Sequence, residues 1–137
     1  MFTPVTGRTV LVTGGTKGIG KGIARVFAKA GCDVVLAARD RSTGEAAAQE
    51  LGARFVQADI SQAADCERMA AAVAERFGGI DVLCANAGVF PDVKLEDMSE
   101  ADIDGIFATN VKGTMLSVKA CLPALERSGH GRVIVTS

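Results

Sequence analysis

Thr13-Gly14-Gly15-Thr16-Lys17-Gly18-Ile19-Gly20 decides how the rest of the chain reads. It follows the apolar run Thr9-Val10-Leu11-Val12 and opens a helical pattern of Ile19, Ile23, Val26, Phe27 and Ala30. Strand, glycine turn and helix together present free backbone N–H groups and the positive end of a helix dipole to an anion. Gly14 can turn the chain at positive φ as it leaves the strand. Gly18 removes the Cβ that would hold a diphosphate off the backbone, and Gly20 lets the helix pack close to its strand. An ordinary tight strand–helix turn also uses glycine, so the stretch needs support from elsewhere.

That support begins with the order of elements. Gly18–Ala30 reads as a helix closed by Gly31, and Val34-Val35-Leu36-Ala37-Ala38 as a strand buried on both faces. Ser42 and Glu45 have capping-box spacing for a helix running through Leu51. Arg54–Ala58 is a third strand, and Ser61 the expected cap of a helix striped by Cys66, Met69, Ala70, Val73 and Phe77. Gly78-Gly79 ends that helix, and Ile80–Ala85 is a fourth strand leading into Asn86-Ala87-Gly88. Ser99, with Asp102 in the first turn, caps a long helical region. Ile103, Phe107, Val111, Thr114, Met115 and Val118 are its expected inner face, and Pro123 lies near its end. Gly129-His130-Gly131 turns into a fifth strand, Arg132–Thr136. Strands alternating with helices predict an α/β fold: one domain over residues 1–137 with a doubly wound parallel sheet of order 3-2-1-4-5. The ligand crevice is expected at the strands' carboxyl ends, where the order reverses between strands 1 and 4.

Composition excludes several classes. The 137 residues are 48% hydrophobic with a formal net charge of −1, which leaves no basic footprint for nucleic acid. No apolar run has the length of a membrane span, and Met1-Phe2-Thr3-Pro4 lacks a leader's basic and apolar regions; the expected compartment is the cytoplasm. Cys32, Cys66, Cys84 and Cys121 show no C-x-x-C spacing, and His130 is the one histidine, so neither a metal site nor a disulfide framework is expected.

Four segments fall at strand carboxyl ends beside one crevice. The first is the glycine turn. After strand 2 stands Ala38-Arg39-Asp40-Arg41, where an acid directly at the strand end would bind ribose hydroxyls and repel a 2′-phosphate. Asp40 comes late for that role. Arg39 can pair bidentately with a 2′-phosphate, and Lys17 can add a second cation, which favours NADP over NAD. Solvated surface cations are the alternative. After strand 3, Asp59 can accept the adenine amino group while Ile60 covers the ring, or Asp59 can simply stabilise a turn. After strand 4, Asn86 can fix the loop through its side chain, and Ala87 and Gly88 leave room for ribose and nicotinamide. Asn110 is out of place inside a helix; either it faces solvent or it marks a local distortion that frees a carbonyl to hold a water.

Thr13-Gly14-x-x-x-Gly18-Ile19-Gly20, Asp59, Asn86-Ala87-Gly88 and Asn110, in this order and spacing, resemble the short-chain dehydrogenase/reductase family over essentially the whole chain. The texture resembles the branch of 3-oxoacyl-acyl-carrier-protein reductases and related ketoreductases. The resemblance implies a Rossmann-type fold, a dinucleotide held by Gly14, Thr16, Lys17, Gly18, Ile19, Gly20, Arg39, Asp59, Ile60, Asn86, Ala87 and Gly88, and hydride transfer between NADPH and a ketone, aldehyde or acyl-thioester carbonyl. It makes Asn110 a member of an Asn, Ser, Tyr and Lys tetrad, supporting a proton-relay water. It also implies a homo-oligomer built partly on the long helix.

The chain departs from the family at its end. The Tyr-x-x-x-Lys pair belongs beyond strand 5, and these residues include no tyrosine. Ser137 falls at or just before the expected catalytic serine. The sheet is therefore expected to be truncated after strand 5, with Val133-Ile134-Val135 an apolar edge prone to aggregation, and the chain inactive by itself. A non-catalytic nucleotide-binding module is the alternative function. A methyltransferase would want an acid where Arg39 stands.

Overall fold

Successive residues of the central strands face opposite sides of a single sheet, and both sides are apolar. Val10, Val12, Val34, Leu36, Val82 and Cys84 lie in one core cluster, whereas Leu11, Val35, Ala37, Leu83 and Ala85 lie in the other. Strands with no polar face suit only a sheet covered by helices on both sides. The computed structural model describes residues 4–137; Met1, Phe2 and Thr3, part of the terminus considered above, lie outside the described residues. The strands are β1 (Thr9–Thr13), β2 (Asp33–Ala38), β3 (Arg54–Gln57), β4 (Val82–Ala85) and β5 (Arg132–Val135). They form one parallel sheet in the expected order, β3-β2-β1-β4-β5, with Leu11 opposite both Val35 and Leu83.

Helices α1 (Gly18–Lys29) and α2 (Arg41–Leu51) cover the Val10 side. Helix α3 (Ala63–Phe77) and helix α5 (Thr114–Ser128) cover the Leu11 side, with Met69, Val73, Cys121 and Leu125 in its core. The long helical region is three pieces: α4 (Glu100–Ile106), a π-helical stretch over Phe107–Gly113, and α5. Ser99 caps it in a full capping box with Asp102. No helix of the described residues is long and apolar enough to cross a membrane.

Three local expectations are corrected. The Ser42/Glu45 capping box does not form. Helix α2 begins at Arg41, so Ser42 is already helical; Asp40 is the cap, its Oδ1 accepting the Thr43 N–H at 2.7 Å. Ser61 does not cap α3, because Gln62 occupies that position without a side-chain cap and Ser61 instead donates to Asp59. Four of the six residues assigned to the inside of the long helix face outward: Phe107 is 60% and Met115 68% exposed, with Ile103 and Val111 also exposed, whereas Thr114 is half-buried and Val118 packs against the core as expected. Small residues, Gly113, Ser117, Cys121 and Ala124, take most of the inner positions beside Leu125, since α5 packs closely against α3 and β4. In α1, Ile19 and Val26 are likewise exposed, and Ile23, Ala24 and Phe27 make the packing face. Val133, Ile134 and Val135 are exposed, as expected of an uncovered edge strand.

Candidate functional site: a crevice at the carboxyl ends of the sheet

The strand order reverses at β1, which has β2 on one side and β4 on the other. The connections leaving β1 and β4 diverge there, opening a crevice of about 890 Å³, a volume within the ordinary range of small-molecule and cofactor sites. It is lined by every residue named above for the dinucleotide, from Gly14 through Gly88, but not by Asn110.

Thr13 ties the two sides together. It is 1% exposed, and its Oγ1 accepts the N–H groups of Asn86 and Ala87, each at 3.1 Å. Its hydroxyl proton points to the Cys84 carbonyl 3.5 Å away. Asn86 Nδ2 donates to the carbonyls of Thr13 and Gly14, both at 3.3 Å, and Gly14 N–H donates to the Ala37 carbonyl at 2.8 Å. The glycine turn is thus bonded to β2 and to the loop after β4.

The glycines divide into two kinds. Gly14 and Gly18 both sit at positive φ, 64° and 54°. A Cβ on Gly14 would stand 2.8 Å from Ala87 Cα, and one on Gly20 would overlap the Gly14 carbonyl oxygen. These two are closed by the protein itself. A Cβ on Gly18 would meet nothing within 4 Å, leaving the backbone accessible. Helix α1 begins there without a side-chain cap and without an acid in its first turn, so its leading N–H groups are left for an anion.

Lys17 and Arg39 are exposed, line the crevice, and enter no ion pair among the described residues; Lys21, Arg25, Arg41 and Arg68 all do. Asp40, the late acid, is engaged: hydrogen bonds from Thr43 hold its carboxyl below the usual range. Asp59 uses Oδ1 to accept the Ser61 N–H and hydroxyl at 3.0 and 2.7 Å. Ile60 is 6% exposed and closes the wall beside it.

Asn110 does not face solvent. Its Oδ1 accepts the Val89 N–H at 2.7 Å and its Nδ2 donates to the Val89 carbonyl at 2.8 Å. It sits within the π-helical stretch, a distortion common at functional sites, and its backbone carbonyl accepts the Thr114 hydroxyl at 2.9 Å. Burial pushes the Cys84 thiol up to about 11 and Cys121 up to about 12, so neither is a nucleophile near neutrality. Among the described residues no three His, Cys, Asp or Glu side chains gather as a metal would need.

Reading the sequence missed two parts of this site. Thr13, the clasp, passed as the last residue before the glycines. Ala101, Gly105 and Thr109 present a small face to the crevice, and their four-residue spacing was the signal that α4 turns that side inward.

The model of the family described as short chain dehydrogenase matches residues 8–137. Oxidoreductase UcpA of Salmonella typhimurium is 39% identical over 138 residues, covering 97% of this chain and 52% of that protein. L-fucose dehydrogenase of Mus musculus is 36% identical over 134 residues, covering 96% of this chain and 49% of that protein. A solved structure, the Pseudomonas aeruginosa RhlG/NADP active-site complex, superimposes with a TM-score of 0.90 at 32% identity, covering 98% of this chain and 57% of that one. The chain spans about half the length of the curated relatives it matches. A match that runs from residue 8 through Ser137 leaves one conclusion: the chain belongs to the short-chain dehydrogenase family.

Proposed function

We propose that residues 1–137 form the dinucleotide-binding part of an NADP-dependent oxidoreductase acting on a ketone, aldehyde or 3-oxoacyl-type carbonyl. The observation that carries this reading is the crevice in which two unpaired cations, Lys17 and Arg39, stand beside the accessible backbone of Gly18. The site fits the group: the open Cβ position at Gly18 and the uncapped start of α1 suit a diphosphate. Arg39 and Lys17 suit a 2′-phosphate. Asp59 would accept the adenine amino group and Ile60 would cover the ring. Ala87 and Gly88 leave space for the nicotinamide ribose. Bound there, the dinucleotide supplies a hydride. Asn110 holds Val89 through both its backbone groups and so fixes the loop that follows Asn86.

A non-catalytic nucleotide-binding module is the second reading. It is favoured by one fact: no tyrosine occurs among these residues to give a substrate carbonyl its proton. We further propose that the intact protein is a homo-oligomer, with the exposed Ile103, Phe107, Val111 and Met115 as part of its contact surface.

The 2′-phosphate assignment is tested by Arg39→Asp. A charge-assisted pairing contributes about 1.5–3 kcal/mol, so NADPH affinity should fall by roughly 10- to 150-fold, with NADH binding unchanged or improved. An unaltered preference in a fluorescence titration would refute the NADP assignment.

A further inference from the structure

Asp59 and Ile60 are gripped from behind by adjacent residues of α3, and the grip is directional. Asp65 Oδ2 accepts the backbone N–H of Asp59 at 2.8 Å, while its Oδ1 pairs with Arg68 at 2.9 Å, which fixes the carboxylate's orientation. The neighbouring Cys66, 1% exposed, donates its thiol proton to the backbone carbonyl of Ile60 at 3.3 Å. The two peptide groups flanking the Asp59–Ile60 step are therefore both held by the first turn of α3. On the far side, Ile60 packs beneath Gly113, where a Cβ would come within 2.8 Å of Ile60 Cδ1. The Ser117 hydroxyl donates to the Gly113 carbonyl at 2.8 Å and lies 3.9 Å from the Cys66 sulfur. A buried line of polar contacts thus runs from Ile60 through Cys66 and Ser117 to Gly113, at the end of the stretch that carries Asn110.

The backbone on either side of the Asp59–Ile60 step is thus held, and with it the base from which the Asp59 side chain projects. Ser61 occupies Oδ1 from within the turn, and among the described residues no protein donor reaches Oδ2. We propose that Asp65 and Cys66 are positioning residues for the Asp59 carboxylate, aiming its free oxygen at the exocyclic amino group of an adenine. A rigidly aimed acceptor discriminates between ligands more sharply than a mobile one, because a mismatched ligand group cannot be accommodated by rotation.

The inference rests on the reading that the crevice takes an adenine dinucleotide. Its test compares NADPH with the analogue in which hypoxanthine replaces adenine, so that a carbonyl oxygen stands where the amino group was. Dissociation constants are measured by fluorescence titration on the full chain. The wild type should prefer NADPH by about fivefold or more, the worth of one hydrogen bond. In Asp65→Ala and Cys66→Ala that preference should fall to near unity. Asp65→Asn retains an acceptor and Cys66→Ser a donor, so both should keep it. A role confined to holding the fold would weaken both dinucleotides alike and leave the ratio intact, and that outcome overturns the proposal. Loss of the ratio in the Asn and Ser variants also overturns it. A wild type that binds neither dinucleotide overturns the cofactor reading itself. One that binds both equally leaves that reading standing and overturns the aim assigned to Asp59.

Discussion

Gly20 and Gly22 stand two residues apart on α1 and have opposite duties. A Cβ on Gly20 would overlap the Gly14 carbonyl oxygen, whereas one on Gly22 meets nothing within 4 Å. Gly20→Ala must push α1 away from the turn, and overpacking of this kind costs about 1–3 kcal/mol. Gly22→Ala should stabilise by about 0.5–1 kcal/mol, since alanine loses less conformational freedom in a helix. Thermal melts of the two variants should therefore move in opposite directions, and only Gly20→Ala should weaken NADPH. At this scale the sequence was informative where chemistry is scarce. A glycine run at a strand end, Arg39 in place of an acid, and an asparagine inside a helix each had few explanations. Thr13, though part of the opening stretch, received no role because threonine is ordinary in a strand. Its importance comes from a contact with Asn86 and Ala87, more than 70 residues away.

Among the elements, the π-helical stretch and the loop after β4 depend on one another. Asn110 satisfies both backbone groups of Val89, and Gly88 passes close enough that a Cβ there would stand 3.3 Å from Asn110 Oδ1. Asn110→Ala should release the loop, with a loss of about 1 kcal/mol because Val89 is half-buried and water can replace part of what is lost. Hydrogen exchange should show the Val89 amide losing protection while β4 keeps its own; unchanged exchange at Val89 would refute this coupling. Element order, type and strand sequence were legible from alternation and glycine punctuation. The facing of α4 and α5 was not. Their large apolar residues repeat at helical spacing and imitate a core stripe, but where α5 approaches α3 and β4 most inner positions are small, Gly113, Ser117, Cys121 and Ala124, with Leu125 the large residue buried among them. Cap positions shifted for a similar reason. Ser42 and Ser61 have suitable chemistry, but Asp40 offers α2 a stronger acceptor and Asp59 draws Ser61 away from α3.

In the whole molecule, the end of the sheet opposite the crevice is knotted at Asp81. Its carboxylate accepts from the Ser128 hydroxyl at 2.6 Å and the Thr9 N–H at 2.8 Å, and His130 Nε2 lies 3.1 Å away. One side chain thus joins β1, β4, the end of α5 and the turn into β5. Burial alone would push the Asp81 carboxyl up, but the bonds from Ser128 and Thr9 and the charges of His130 and Arg8 outweigh it and hold the group below its ordinary value. The folded state then binds this proton less readily than the unfolded chain. The stabilisation is complete above the unfolded value of about 3.9 and is lost as pH falls through the folded one. Urea midpoints should drop steeply below about pH 4. Asp81→Asn should be less stable at pH 7 and show a shallower decline in acid, the remainder coming from Asp40, Glu50, Asp65 and Asp102, whose carboxyls are also held low. Equal acid slopes in the two proteins would remove Asp81 from the explanation.

Everything proposed for this chain depends on the crevice accepting a dinucleotide, and a titration of NADPH with the full chain, followed by nicotinamide fluorescence, examines that directly. Saturation at one NADPH per chain, with no oxidation of the bound NADPH when ketones or aldehydes are added, is the expected behaviour of a cofactor-binding part that lacks a tyrosine. Fluorescence that rises without saturating, or does not change, would mean that the glycine turn, Arg39 and Asp59 do not form a cofactor site.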